Sequence, residues 1–308
     1  MTKIAYKVPS CDGIHTLAGT VYLPAGEVRG FFQVVHGMTE HIGRYDAFMS
    51  DMAKAGYICF GHDHLGHGYT AKDDSELGYI AKKNGYDLLT RDVKVFADAV
   101  IAAYDTDRHL PYYLMGHSMG SFVVRYAATK YVHPDRLIVM GTGGRNPAAG
   151  MGLAVIDMVK FFRGDRYISK TVYALAFASY NARFGGGTED DPSPWLTNDK
   201  AHREKYYADK FCTFKFTVSA MKDLVTLNKI TNDPSWYKTL PHDMPLLLVS
   251  GEDDPVGDHG DGVRQVYGEL QRQGFDVQCI LYPKARHEIL NDSTYEQVKT
   301  DILKFIQT

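Results

Sequence analysis

Short apolar runs alternate along this chain with longer segments whose apolar positions recur every three to four residues. The runs at 17–23, 30–36, 57–60, 112–115, 137–140, 246–249 and 277–282 are too short for helices and are bounded by turn residues, so they read as seven buried strands. Helical patterns fall between them, at 45–55, 86–104, 118–131, 260–273 and 294–306. In the second of these, Leu88, Val95, Ala99 and Ala102 mark one apolar face. Strands alternating with helices predict an α/β fold, a mostly parallel sheet covered on both faces. The alternation breaks between about 145 and 240, where roughly 95 residues separate the fifth strand from the sixth, far beyond an ordinary connection. That segment opens on an apolar helical stretch containing Met151, Leu153, Val155, Ile156, Val159, Phe161 and Phe162. A Gly185-Gly186-Gly187 interruption follows, then the acidic Glu189-Asp190-Asp191, and a second helical pattern runs over 214–227. The expected organisation is therefore a core of 1–144 and 241–308 with a helical cap inserted at 145–240.

Composition narrows the class. A chain of 308 residues, 44% hydrophobic, can bury one large core and carry an inserted subdomain. Net charge is −3 with acids and bases mixed, and no basic block suggests nucleic acid. Residues 1–7 lack the apolar run of a secretory signal, and no stretch approaches the roughly 18 apolar residues of a membrane span. Cys11, Cys59, Cys212 and Cys279 are scattered without C-x-x-C spacing. Cys59 and Cys279 fall inside strand-like runs, so buried, inert thiols are expected. These features predict a cytoplasmic protein.

The chemistry concentrates at Gly116-His117-Ser118-Met119-Gly120. A strand runs into this G-x-S-x-G pentapeptide and a helix leaves it, the context that sets a serine on a sharp elbow with its hydroxyl exposed. A serine hydroxyl needs a base to take its proton and a carboxylate to orient that base. In strand–elbow–helix hydrolases these follow in the order serine, acid, histidine, each after a strand. The sixth strand leads into Glu252-Asp253-Asp254, of which Asp254 is the preferred acid, with Asp253 and Glu252 as rivals in the same turn. After the seventh strand stands His287, the expected base. The developing oxyanion needs two N–H donors. Met119, after the nucleophile, and Met38, in the loop after the second run, are the candidates, with Gly37 letting the backbone approach closely. His62, His64 and His67 match no metal-ligand spacing and read as a hydrogen-bonded loop, so no metal and no cofactor are expected. His117 is expected to shape the elbow.

Three strings occur in order: His36-Gly37-Met38-Thr39-Glu40-His41 with Arg44-Tyr45, then Asp63-His64-Leu65-Gly66-His67-Gly68, then Gly116 to Gly120. Together with Gly251 to Val256 and Arg286-His287, this resembles the monoacylglycerol lipase and lysophospholipase group of serine α/β-hydrolases. The resemblance implies an α/β-hydrolase fold, with Ser118 as nucleophile, Asp254 as acid, His287 as base, and Met38 and Met119 as oxyanion donors. It also implies hydrolysis of single-chain acyl esters under a cap that forms an apolar tunnel.

The expected function is serine ester hydrolysis of a lipid-like or small acyl ester, with Met151, Ile156 and Phe161 as candidate substrate-wall residues in the cap. Amidase or peptidase and thioesterase chemistry use the same triad, and an acidic group at 189–191 would suit a substrate amine. A non-catalytic binding protein on the same fold is the alternative of a different class. The expected partner is a small ester or lipid, with transient membrane contact open through the cap and the oligomeric state undetermined.

Overall fold

A computed structural model describes residues 1–105 and 109–308. Eight strands, rather than seven, form one sheet: β1 (Thr2–Pro9), β2 (Thr16–Leu23), β3 (Gly30–Val35), β4 (Tyr57–His62), β5 (Tyr112–His117), β6 (Arg136–Met140), β7 (Leu246–Gly251) and β8 (Val277–Tyr282). Their order is β1-β2-β4-β3-β5-β6-β7-β8. The first two ladders, β1 with β2 and β2 with β4, are antiparallel, and the remainder are parallel. β1 is the added strand. Its Ile4, Tyr6 and Val8 alternate with exposed Lys3, Ala5 and Lys7. A half-buried edge strand of that kind shows only weak alternation in sequence and no continuous apolar run.

The helices α1 (Asp46–Lys54), α2 (Gly85–Tyr104) and α3 (Met119–Lys130) follow β3, β4 and β5. Between β6 and β7 lie α4 (Ala149–Arg163), α5 (Lys170–Phe177), α6 (Lys200–Ala208), α7 (Val218–Thr231) and α8 (Pro234–Tyr237). α9 (Asp261–Arg272) and α10 (Tyr295–Gln307) complete the chain. The continuous apolar character of the central strands follows from burial on both faces. Phe31, Leu114, Leu137, Leu246 and Leu248 join one core with residues of α2, α3, α7 and α9. Their strand neighbours Phe32, Met115, Ile138 and Leu247 join a second core with Phe48, Met52, Ile302 and Phe305. The face of α2 that enters the first core is Leu89, Val93, Phe96, Ala97 and Val100. The stripe anticipated from sequence is displaced by one position: Leu88, Val95 and Ala99 are only partly buried and Ala102 is exposed. Apolar residues outnumber the needs of one face in this helix, so periodicity alone locates the stripe imprecisely.

α7 is the innermost inserted helix. Its Val218, Ala220, Met221 and Leu227 belong to the same core as α2 and α3, joined by Trp236 and Tyr237 of α8, Ile156 of α4 and Val172 of α5. Among the described residues, no helix is long and apolar enough to cross a membrane. All four cysteines are unpaired, Cys59 and Cys212 being buried and Cys11 and Cys279 partly so.

Candidate active site

Ser118 sits between the end of β5 and the start of α3 with φ 55° and ψ −121°. A non-glycine residue there is strained, and such strain persists only when the surroundings enforce it. The enforcement is visible. The Ser118 N–H donates to the Met140 carbonyl (3.0 Å), tying the elbow to the end of β6. The two flanking glycines are obligatory: a Cβ on Gly116 would fall 2.2 Å from the Gly120 carbonyl oxygen, and one on Gly120 would fall 2.2 Å from that of Val35.

Asp254 and His287, 33 residues apart, meet above the ends of β7 and β8. His287 Nδ1 lies 2.9 Å from Asp254 Oδ2. The same carboxylate accepts from the Val256 N–H (2.9 Å) and the Ser250 hydroxyl (3.1 Å), and it is fully buried. Burial would raise its pKa, but the imidazole of His287 and the Val256 N–H overcome that and hold it below the ordinary carboxylate value. The rivals point elsewhere in part: Glu252 pairs with Arg264 in solvent (3.4 Å). The loop carrying His287 approaches closely because residue 251 has no side chain; a Cβ there would lie 2.1 Å from the Arg286 carbonyl oxygen. From the inserted segment, the Trp195 ring packs on that of His287 at 5.1 Å between centroids. Ser118 and His287 line one cavity. Among the described residues, the Ser118 hydroxyl has no hydrogen-bond partner.

The loop carrying Met38 lies directly against the elbow. A Cβ on Gly37 would come within 2.9 Å of the Ser118 Cβ. Met38 and Met119 both line the cavity, and among the described residues neither backbone N–H has a partner. Beneath this loop the four histidines His36, His62, His64 and His67 are buried. His36 Nδ1 donates to the Gly37 carbonyl (2.8 Å), and its Nε2 accepts from the His64 N–H (3.0 Å). His67 bonds the Leu65 carbonyl (2.9 Å). Burial pushes His62 down to about 3 and His67 to about 4, so both are neutral packing groups at pH 7. Asp63 accepts from the Ile42 and Tyr69 N–H groups (2.8 Å each), with Gly68 leaving room for its carboxylate.

A buried charged network that residue spacing does not reveal surrounds the site. Arg44 grips Glu288 bidentately (2.6 and 2.7 Å) and Glu40 (2.9 Å). Glu40 accepts from the Gly37 N–H (2.5 Å) and the Tyr45 hydroxyl (2.8 Å), and lies 3.3 Å from His117 Nδ1. Burial would raise the Glu40 pKa, yet His117 and Arg44 hold it well below the carboxylate range. Burial would likewise lower His117, and Glu40 outweighs it and raises the imidazole. Glu40, Arg44 and Tyr45 all belong to the string 36–45 that carries the family resemblance. The string marks these positions, but it gives no sign of their partners His117 and Glu288.

The cavity over Ser118 measures about 810 Å³. Core residues such as Phe122 and inserted residues such as Val155, Ile156, Phe177, Met221 and Leu224 line it. Of the expected wall residues, Met151 and Ile156 line the cavity and Phe161 does not. Phe161 is 83% exposed. The lining positions 151, 152, 155 and 156 form one stripe of α4, and a residue five beyond 156 is rotated about 140° away from it.

The parallel sheet order, the strained elbow and the helical insertion define an α/β-hydrolase. A family model described as serine aminopeptidase, S33, matches residues 26–294, and the chain belongs to that family. It is 24% identical to the monoacylglycerol lipase of Mycolicibacterium smegmatis over 97% of this chain and 98% of that one. A thermostable carboxyl esterase from Bacillus coagulans, solved with glycerol, superposes with a TM-score of 0.92 at 29% identity, covering 100% of this chain and 98% of the other. A soluble variant of the Saccharomyces cerevisiae monoglyceride lipase superposes with a TM-score of 0.78 over 100% and 95% of the two chains; at 18% identity this shows the shared fold. The chain is thus an ester hydrolase of the group that contains the monoacylglycerol lipases and lysophospholipases.

Proposed function

We propose that this protein is a serine hydrolase of single-acyl esters, of monoacylglycerol or lysophospholipid type, with residues 145–240 acting as a cap over the site. The observation that carries this reading is the large apolar cavity built jointly by core and insertion around Ser118 and His287. Its size suits one acyl chain with a small headgroup. In this mechanism Ser118 Oγ attacks the ester carbonyl as His287 Nε2 takes its proton, and Asp254 steadies the imidazolium through Nδ1. Catalytic hydrogen bonds are often long before substrate binds, and the contact between the Ser118 hydroxyl and the imidazole closes in the substrate complex. The Met38 and Met119 N–H groups hold the oxyanion. His287 passes the proton to the leaving alcohol, leaving an acyl-serine. Water, deprotonated by His287, then releases the acid and restores the serine hydroxyl.

Ester chemistry is favoured over an aminopeptidase role by the carboxylates. Glu189, Asp190 and Asp191 do not line the cavity; Asp191 is engaged by Arg203 (2.7 Å) and Tyr207 (2.8 Å). Glu40 and Glu288 do line it, but Arg44 holds both. Among the described residues, no unpaired carboxylate lines this cavity to hold a substrate amine. α4 exposes Met158, Phe161 and Phe162, and α5 exposes Leu175, which also lines the cavity, a surface suited to transient contact with lipid from which a single-chain ester could enter. Four unpaired cysteines suit a reducing, cytoplasmic setting.

A fluorophosphonate probe should label one serine per chain. A panel should follow of p-nitrophenyl esters from acetate to palmitate, 1-monoacylglycerols, an acyl thioester and aminoacyl nitroanilides. Faster turnover of a nitroanilide than of any ester would overturn the ester reading, and a steep preference for acetate would overturn the acyl cavity.

A further inference from the structure

We propose that His41, Asp209 and Cys212 form a binding site for one divalent transition-metal ion of the zinc type, at the seam between the 39–44 loop and the inserted helices. An imidazole nitrogen, a carboxylate oxygen and a thiol sulfur converge there, all within 4.8 Å of one another. A tetrahedral zinc with bonds of about 2.0–2.3 Å spaces its ligands roughly 3.3–3.8 Å apart, so small side-chain adjustments admit the ion. His41 Nε2 and Asp209 Oδ2 already face each other at 2.9 Å.

The local backbone favours the arrangement. Asp209 ends α6, its carbonyl accepts from the Cys212 N–H (2.9 Å), and its carboxylate accepts from the Phe211 N–H (2.8 Å). This tight turn sets an aspartate and a cysteine three positions apart on the same side. The third donor comes from the core, 168 residues away in sequence. The Phe211 ring meets that of His41 edge-on at 5.7 Å, which fixes the imidazole plane. Cys212 is buried and borders the cavity over Ser118, while the His41 and Asp209 side chains are 15% and 34% exposed, so the ion has a solvent-side entry.

Charge is favourable as well. The neighbouring cation, Arg44, is engaged by Glu40 and Glu288, and Asp209 has the His41 imidazole as its partner, so Arg44 does not occupy the Asp209 carboxylate. Imidazole, carboxylate and thiolate together are a zinc-type donor set, and three protein ligands leave a fourth position for water. Binding replaces the thiol hydrogen with a sulfur–metal bond, and the proton leaves to solvent. Through His41 the ion would tether the α6 turn to the loop that bears Met38, alongside the Thr39–Tyr206 hydrogen bond (2.9 Å) already present there. The site is a fastening of the insertion and takes no part in the proposed ester chemistry.

The test is titration of the untagged, fully reduced protein with Co²⁺ under anaerobic conditions. One equivalent should produce a near-ultraviolet thiolate-to-cobalt charge-transfer band, which Zn²⁺ then displaces. Cys212→Ser should abolish the band, and His41→Ala and Asp209→Asn should each weaken binding at least tenfold, with thermal melts of the metal-free variants reporting their folding. No band at one equivalent, or a band that survives in folded Cys212→Ser, would overturn the assignment. Unchanged affinity in both His41→Ala and Asp209→Asn would overturn it too.

Discussion

The Nε2 of His117 donates to the carbonyl oxygen of His287 at 3.2 Å, and the two rings pack 4.7 Å apart between centroids. The residue before the proposed nucleophile thus holds the backbone of the proposed base. Glu40 and Tyr45 brace the other side of the His117 ring (3.3 and 2.8 Å). His117 is a positioning residue, and His117→Phe should lower kcat by roughly 10²-fold with little change in KM, the scale set by small misplacements of reacting groups. Equal kcat in the variant would remove the role.

Ser118→Ala should abolish fluorophosphonate labelling and cut ester hydrolysis by about 10⁴–10⁶-fold, with an unchanged thermal melt. Asp254→Asn should retain labelling at a much slower rate, since the hydroxyl remains while the imidazole loses its orienting carboxylate. Near-normal turnover in either variant refutes the triad.

Arg44→Met leaves Glu40 and Glu288 buried beside each other without their cation. Breaking a buried pair from one side costs about 3–5 kcal/mol. Urea unfolding at pH 7 measures it, and a loss below about 1 kcal/mol would show that water or a rearranged side chain replaces the guanidinium.

Asp223 of α7 lies against the first turn of α2, where a Cβ on Gly85 would meet its Oδ2 at 2.3 Å. Burial raises its pKa to about 7, against the pull of the Tyr86 N–H, Lys160, the Gly85 N–H and Lys222. A raised carboxyl pKa means the folded state holds a proton that the unfolded state releases near pH 4. Its contribution is therefore complete below about pH 4 and is lost as pH rises through about 7. Asp223→Asn should accordingly be more stable than the parent at pH 8 than at pH 4, by roughly 2–4 kcal/mol in the difference. Parallel pH profiles of the two proteins would contradict this.

Gly152 of α4 lines the cavity, and a Cβ there meets nothing within 4 Å. Gly152→Trp should fill part of the acyl space without a backbone clash and shift preference at least tenfold from palmitate toward acetate esters, about 1.4 kcal/mol of discrimination. Phe161→Ser, on the outer face, should leave the ratio unchanged. Matching chain-length profiles for Gly152→Trp and the parent would place the acyl chain elsewhere.

Local physics made much of this protein legible in its sequence. Runs buried on both sheet faces, the Gly116 to Gly120 elbow and the order of Ser118, Asp254 and His287 depend on near neighbours and on the rule that such groups gather at strand ends. The weak edge strand β1, the exact buried stripe of α2 and the outward direction of Phe161 were not legible, because rotation and pairing are fixed by what packs against an element. The same holds for the ring of groups that braces the site. Arg44 and Glu288 stand 244 positions apart and His117 and His287 170 apart. No spacing rule links such residues. Only the sheet order brings the β3, β5 and β8 loops to one edge, where burial turns isolated charges into a network that must be paired.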